Sequence, residues 1–204
     1  MYNKKSNLII GFHGCDQKTR DAVVNGEVLK PSLNSYDWLG NGIYFWESDP
    51  IRAYEWAEQA GKRTSESSYN PSVLGAVIDL GHCLDLTNRK SIKLLSLAYE
   101  WLKESHEFRL TELPKNRNIG ANADLLLRDL DCAVIQMLHS KIAEHSEIEI
   151  QPFDSVRGVF TEGGSIYEGS GFMKKTHCQL CITNPNCIKG YFIPRELDDT
   201  YSAP

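Results

Sequence analysis

Two short segments combine glycine with a histidine or a tyrosine. One lies at the expected end of a strand and the other at the expected start of a strand. His13 and Gly14 directly follow the apolar run 8–12, and Gly42 stands two residues before Tyr44. Glycine lets the backbone approach a ligand closely. Tyrosine offers a flat ring for stacking and a hydroxyl group, and histidine can donate a hydrogen bond to a ribose hydroxyl or a carbonyl. These residue types predict a cleft for a ligand that carries a flat ring and hydroxyl groups.

The order of these motifs resembles the poly(ADP-ribose) polymerase-like branch of the ADP-ribosyltransferases. The shared features are His-Gly at the end of the first strand, then Gly-x-Gly-Ile-Tyr-Phe, with Ala53 nine residues after Tyr44. The resemblance covers the first third of the chain well and the last third loosely, and the middle helices match no part of the family. In this family the cleft binds NAD⁺ as a substrate, and its signature residues are His, Tyr and Glu.

The resemblance implies a role for each residue of the two segments. His13 would contact the adenosine-side or ribose hydroxyls of NAD⁺, and the backbone of Gly14 would bind the carboxamide. Tyr44 would stack on the nicotinamide ring, with Tyr54 as a candidate for a second wall. Gly42 would let the chain come close to the bound NAD⁺.

The third signature position falls in the segment Thr176–Ile182. The resemblance puts Gln179 where the family has glutamate, and it puts His177 at the polar position two residues earlier. Residues two apart on a strand point to the same face, so the pair can act at one site. This position is the one at which the chain departs from the family pattern.

The departure bears on the chemistry, because breaking the nicotinamide–ribose bond passes through an oxocarbenium-like state that a carboxylate stabilises. Three alternatives remain open. In the first alternative Gln179 is sufficient, since nicotinamide is a good leaving group and orientation supplies much of the rate. Otherwise Glu162 or Glu168 supplies the carboxylate from the loop before that strand, or the domain binds NAD⁺ without efficient catalysis. Glu162 is also typical of a solvated loop acid. The predicted catalytic set is therefore His13, Tyr44, Gln179 and Glu162.

The function implied by the resemblance is transfer of ADP-ribose from NAD⁺ to a macromolecular acceptor, with release of nicotinamide. Protein, RNA and DNA all remain open as the acceptor. The alternatives are a non-catalytic NAD⁺ or ADP-ribose binding module and an NAD⁺ glycohydrolase. Small single-domain members of the family resemble bacterial toxins or phage-defence effectors, which implies an antitoxin or other regulatory partner. The glycine-rich loop Glu162–Gly171 is the predicted acceptor contact. Arg157 either binds an acceptor phosphate or carboxylate bidentately or pairs with Asp154.

Alternating and helical patterns predict the elements that would position these residues. Strands are expected at 8–12, 43–46, 73–80, 158–160, 177–182 and 190–193, with a polar turn at 13–15. Helices are expected at 16–25, from the Asp49-Pro50 start to Gly61, at 91–102 and within 121–143. This order predicts an α+β domain with helices over a mixed sheet. The resemblance implies the split mixed sheet of the ADP-ribosyltransferases, as a single domain over residues 1–204.

The composition agrees with a globular chain that acts in the cytoplasm. The net charge of −5 offers no broad basic field for nucleic acid. No apolar run approaches the ~18 residues that a membrane span needs, and we expect no membrane partner. Cys178 and Cys181 have zinc-like spacing, but a second ligand pair is missing. We therefore expect strand cysteines packed as small hydrophobic residues and no metal site.

Overall fold

The computed structural model describes residues 8–64, 68–119, 124–144, 151–196 and Thr200. These residues form a seven-stranded mixed sheet, a separate two-stranded ribbon and four α-helices. The α+β class expected from the order of the elements is confirmed. In chain order the elements are β1 (Ile9–Asp16), α1 (Gln17–Val24), β2 (Ile43–Glu47), α2 (Pro50–Arg63), β3 (Pro71–Ile78), β4 (Cys83–Asp85), α3 (Arg89–Arg109), β5 (Asn116–Arg117), β6 (Leu127–Arg128), α4 (Asp129–Glu144), β7 (Ser155–Phe160), β8 (His177–Ile182) and β9 (Ile188–Phe192).

The large sheet has the strand order β4-β7-β8-β2-β1-β3-β9. β4 and β7 run parallel, whereas the other neighbouring strands are antiparallel. β1 pairs with β3 along all of its residues. Its ladder with β2 is limited to Gly11 with Glu47 and Phe12 with Trp46. Beyond Phe12, β1 continues to Asp16 without further ladder pairing to β2, and we call this opening the β1–β2 fork.

Each face of the sheet has its own hydrophobic core. The α1 face is covered by Val23 of α1 and by Leu29, which pack on Phe45, Leu74 and Leu180. The α2–α4 face is covered by the other three helices. Its core combines side chains of α3 and α4 with inward residues of the strands: Ala98, Leu102, Val134, Ile135, Leu138, Ile142, Leu84, Val156 and Cys181.

Helix α2 begins at a capped proline and packs very closely on β1. The Asp49 side chain accepts a hydrogen bond from the Arg52 backbone N–H at 2.8 Å, which satisfies one of the free donors of the first turn. On the sheet side, Ala53 and Ala57 are fully buried. A β-carbon built on Gly14 would lie 2.0 Å from the Ala53 carbonyl oxygen. Only glycine at position 14 therefore permits this approach of helix and strand.

The structure corrects three local predictions. The expected turn at 13–15 is part of β1, because His13, Gly14 and Cys15 continue the ladder with β3. The helix expected within 121–143 is α4, which begins at Asp129; residues 120–123 lie outside the described part of the chain. α3 continues to Arg109, where Leu110 adopts a left-handed conformation and ends it. None of the described helices is long and apolar enough to cross a lipid bilayer.

Candidate functional site

His13 lies in the β1–β2 fork with its side chain on the α1 face. Its Nδ1 donates a hydrogen bond to the Tyr44 carbonyl oxygen at 2.8 Å. Its ring meets the ring of Phe45 edge-on, with centroids 5.9 Å apart. The imidazole therefore joins the backbones of β1 and β2 just beyond the point at which their ladder ends.

The side chain of Tyr44 lies on the opposite face of the sheet, the α2–α4 face, where its ring packs against the hydrophobic core. The hydroxyl donates to the Gly40 carbonyl oxygen at 2.6 Å and accepts from the Leu39 N–H at 2.8 Å. Burial raises the pKa of this hydroxyl, so it stays protonated. The hydroxyl closes the turn that leads into β2, and the structure does not bring the side chains of His13 and Tyr44 into one cleft.

The other residues predicted to contact NAD⁺ from this region have packing roles or are exposed. Gly14 lies directly under the backbone of α2. A β-carbon on Gly42 would lie 2.5 Å from the Cys181 Sγ atom, so this glycine allows the turn to cross β8. Tyr54 is exposed on α2, one residue after the buried Ala53. The arrangement leaves no gap between Gly14 and the helix for a carboxamide group.

Glu162, His177 and Gln179 do come together, on the α2–α4 face of β8. Glu162 is buried at 5% exposure rather than solvated, and it forms an ion pair with Arg52 of α2. Its Oε1 atom lies 3.7 Å from Nδ1 of His177. Gln179 follows two residues after His177 on the same face. We call Arg52, Glu162, His177 and Gln179 the Glu162 cluster.

The hydrogen bonds of His177 define its tautomer. Nδ1 donates to the Lys175 carbonyl oxygen at 2.8 Å, which leaves Nε2 to accept from the Gln179 side-chain amide at 3.2 Å. Burial lowers the pKa of His177, although the carboxylate of Glu162 opposes this change. The imidazole is therefore neutral at pH 7, and Gln179 uses one amide hydrogen to hold it.

The base of the glycine-rich loop fixes the position of Glu162. The Lys175 N–H donates to the Glu162 carbonyl oxygen at 2.9 Å, and the Gly163 N–H donates to the Asp124 carboxylate at 3.0 Å. Both ends of the loop are thus tied down beside His177. Glu162 reaches the site because its own backbone is held there.

Two buried donors, one in the cluster and one beside it, are not satisfied by any described residue. They are Nε1 of Trp46, which lies opposite Gln179 in the ladder, and Nε of Arg52. A buried donor without an acceptor costs about 1–3 kcal/mol, so such groups need an explanation.

Sequence reasoning missed Arg52 and Trp46 as members of the site. Arg52 stands three residues after the cap Asp49, in the first turn of α2, where a charged side chain gives no signal by itself. Trp46 fits the apolar pattern of β2. Only the pairing of β2 with β8 and the position of α2 above them bring these residues to Gln179 and Glu162.

Arg157 and the strand cysteines lie away from the cluster. Arg157 Nε donates to the Glu47 carboxylate at 2.7 Å and Nη1 lies 3.4 Å from Asp85, so the predicted pair with Asp154 does not form. The hydrogen bond from Arg157 holds the pKa of Glu47 below its usual range, against the effect of burial. Successive strand residues alternate in direction, so Cys178 and Cys181 point to opposite faces.

The burial of His13 predicts a pH dependence of stability. Burial lowers the pKa of its imidazole below the ordinary value of 6.5, so the unfolded chain binds a proton that the folded chain does not. As the pH falls below 6.5, the free energy of unfolding therefore decreases, by up to about 1.4 kcal/mol per pH unit for this group, until the folded-state pKa is reached. We expect His13→Gln to reduce this slope in urea unfolding series at several pH values.

The matched control is His106→Gln, which changes a half-buried histidine in the last turn of α3. In this variant the slope that His13 produces should remain, because the hydrogen bond of His13 to the Tyr44 carbonyl oxygen is unchanged. His139 and His177 also have lowered pKa values because they are buried. His13→Gln should therefore remove only the part of the pH dependence of stability that His13 produces. A wild-type slope in His13→Gln would contradict the assignment.

Comparison with known proteins adds a distant relative without an assigned activity. An uncharacterized protein of Methanocaldococcus jannaschii is 23% identical over 194 residues, covering 87% of this chain and 83% of that protein. No family model matches the chain. No solved structure matches it either.

Proposed function

We propose that this protein binds NAD⁺ and transfers ADP-ribose to a macromolecular acceptor, with Glu162 as the carboxylate of the reaction. The observation that carries the proposal is the burial of Glu162 beside His177 and Gln179. Among the three alternatives left open by the sequence, this contact favours the one in which a loop glutamate complements Gln179. The β1–β2 fork supports the split-sheet architecture that the resemblance implies.

The chemistry requires a carboxylate that is charged before NAD⁺ arrives. Breakage of the C1′–N bond leaves its electron pair with nicotinamide and creates positive charge on the ribose, which a nearby carboxylate stabilises. Glu162 forms its ion pair with Arg52 at the edge of the site. The acceptor nucleophile then adds to C1′ and loses its proton to solvent. Glu162 thus supplies the charge that Gln179 lacks.

The remaining residues of the site would orient the substrate. Gln179 can hold a ribose hydroxyl while it stays bonded to His177. In this proposal His13 holds the β1–β2 fork together, and Tyr44 closes the turn before β2.

The glycine-rich loop supports the transfer reaction because it carries exposed apolar side chains in the segment that follows Glu162. Tyr167 and Phe172 are 61% and 69% exposed. A bridge between Ser165 and Met173 holds the two arms of the loop together. This loop is the surface that we propose meets the acceptor.

The direct test is incubation of the full chain with NAD⁺ labelled on its adenylate phosphate, with and without cell extract. Label on macromolecules together with nicotinamide release supports transfer. Nicotinamide release without label on macromolecules would mean that the protein hydrolyses NAD⁺ and does not transfer ADP-ribose. If no nicotinamide is released but NAD⁺ binds measurably, the protein is a non-catalytic binding module, the alternative favoured by the glutamine at position 179. Absence of NAD⁺ binding overturns the proposal.

Glu162→Gln is expected to lower the rate of nicotinamide release by about 10²-fold or more, as for loss of one charge-stabilising group in a transition state. The amide keeps an oxygen that accepts from Arg52, so the fold should be retained. Release is measured in single-turnover assays, and folding is checked by thermal unfolding.

The matched control is Glu168→Gln, which changes an exposed acid of the same loop. It should retain the wild-type rate. If both variants release nicotinamide at the wild-type rate, the carboxylate assignment fails.

A further inference from the structure

An apolar stripe runs along one side of α3. Leu97, Trp101 and Phe108 lie on this side, because they are spaced four and seven residues apart. Leu97 and Phe108 are 52% and 91% exposed. Trp101 is half-buried and packs against the core of the α2–α4 face. Glu104 is exposed between Trp101 and Phe108, and we call these four residues the α3 stripe.

The α3 stripe is separate from the cavity between α3 and α4. This cavity has a volume of about 550 Å³ and lies beside Trp38. The residues of α3 that line it are Ile92, Leu95, Ser96, Tyr99 and Glu100. None of them belongs to the stripe, so a partner on the stripe would contact a different surface of the helix.

The end of α3 exposes a further apolar side chain on an unfavourable backbone. Leu110 follows the helix with a φ of 55°, a left-handed conformation that glycine usually adopts at this position. The N–H groups of Leu110 and Thr111 donate to the last turn of the helix and close it. The Leu110 side chain is 94% exposed, so it gains almost no burial within the chain. An interface near the end of α3 would bury it.

Charge is segregated along α3. Arg89, Lys90 and Lys93 stand in the first two turns, where the helix dipole disfavours cations. The acids of the helix all lie in its second half: Glu100, Glu104 and Glu107. Within the described residues, neither the three cations nor Glu104 forms an ion pair. The basic start of α3 therefore has no acidic partner in its own chain.

We propose that the α3 stripe binds the same stripe of a second copy of this chain, with the two α3 helices antiparallel about a twofold axis. An antiparallel pair places the basic start of each helix beside the acidic half of the other. It also sets the two helix dipoles in opposite directions. A parallel pair would bring the two basic starts together, which repels. The charge pattern thus selects both the occupant and its direction.

An axis at the level of Tyr99 overlaps the two helices along their full length. Tyr99 is the middle of the 21 residues of α3, which span about 32 Å at the rise of an α-helix. Leu97 of one copy then lies opposite Trp101 of the partner subunit. Lys93 lies beside Glu104 of the partner subunit. The apolar centre of the contact is therefore flanked by opposite charges.

The same axis gives Phe108 a contact at each end of the pair. Lys90 lies seven residues before Leu97, so it is on the side of the helix that carries the stripe. It meets Phe108 of the partner subunit, whose ring the aliphatic stem and the ammonium group of lysine can cover. The twofold axis repeats this contact at the other end.

The test begins with sedimentation equilibrium of the full chain at low and high salt. One helix pair is a small interface, so we expect a reversible monomer–dimer equilibrium with a dissociation constant in the micromolar range. Added salt should weaken the dimer, because it screens the charges at both ends.

Phe108→Ala should weaken the dimer by about 10-fold or more, since both copies lose a ring that the interface buries. Phe108 is almost fully exposed in one copy, so the monomer should keep its stability, which thermal unfolding of dilute protein verifies. Phe172→Ala is the matched control, because Phe172 is 69% exposed and lies outside α3. It should form dimers as the wild type does.

Two double charge reversals test the direction of the helices. Lys90→Glu/Lys93→Glu makes the start of α3 acidic, and Glu104→Lys/Glu107→Lys makes its second half basic. Each variant alone should dimerise about 10-fold more weakly at low salt, because like charges then face each other. An equimolar mixture of the two should form a heterodimer at least as tight as the wild-type dimer. A parallel pair would not be weakened by either reversal, since like charges already meet in it.

The proposal is overturned if the protein stays monomeric at all concentrations, or if Phe108→Ala dimerises no more weakly than Phe172→Ala. It is also overturned if neither charge reversal weakens the dimer, or if their mixture associates no better than each variant alone. NAD⁺ takes no part in these measurements, so the dimer and the proposed function stand or fail separately.

Discussion

Glu162→Ala is expected to lower the free energy of unfolding by about 3 kcal/mol, because it leaves the guanidinium of Arg52 buried without its principal carboxylate. The side chains of Arg52 and Glu162 are 12% and 5% exposed, so water cannot replace the lost partner. This loss lies at the lower end of the range for a broken buried pair, since Glu55 stays 3.5 Å from Arg52 Nη1. Urea unfolding at pH 7 measures the change.

Glu55→Ala is the matched control, because it removes a carboxylate that contacts the same guanidinium at 40% exposure. We expect a loss below about 1 kcal/mol, as for surface ion pairs. The double variant Arg52→Met/Glu162→Leu should recover most of the lost stability, since replacing both partners removes the unpaired charge. A smaller loss for Glu162→Ala than for Glu55→Ala would contradict the buried ion pair.

Gly14→Ala is expected to lower the free energy of unfolding by about 3 kcal/mol, the upper part of the usual range for overpacking. The added methyl group would lie 2.0 Å from the Ala53 carbonyl oxygen and 3.2 Å from the Ala57 backbone nitrogen. Backbone atoms of a helix cannot rotate away, so α2 as a whole must shift. Urea unfolding and the near-ultraviolet signal of the Trp46–Trp56 pair, with centroids 6.0 Å apart, report this shift.

The controls distinguish a β-carbon that collides with backbone atoms from one that collides with a side chain. At Gly75 a β-carbon would meet the ring of Phe192 at 2.4 Å, so the loss in Gly75→Ala should be relieved by Phe192→Ala. No such relief is expected for Gly14→Ala from Ala53→Gly, since the obstructing oxygen belongs to the backbone. Gly190→Ala, with no atom within 4 Å of the added carbon, should change stability little. A wild-type stability of Gly14→Ala would contradict the close packing of α2 on β1.

Local patterns predicted most of the elements because their signals lie within a few residues. The cap Asp49 and Pro50 start α2 as expected, and the alternation in 177–182 matches the bounds of β8. The turn expected at 13–15 was wrong, since the strand pattern there depends on pairing with β3, about 60 residues away in the sequence. The end of α3 differed because its last two turns are mostly exposed, so no apolar stripe marks them in the sequence.

The candidate site was predictable only in part. The sequence singled out His177, Gln179 and Glu162, and the structure brings them together. It also singled out His13 and Tyr44 as one cleft, but their side chains leave the sheet on opposite faces. Two residues of neighbouring strands share a face only if the register allows it, and no local pattern reveals the register between β1 and β2.

By itself, the sequence indicated most of the element types, the α+β class and the chemical groups available to a site. These properties follow from propensity, periodicity and capping, which act over short distances. The tertiary structure alone decided which groups meet. It buried Glu162 against Arg52, gave Gly14 a packing role under α2, and formed a cavity beside Trp38. Each of these outcomes depends on strand register and helix position, which are set by contacts between residues far apart in the chain.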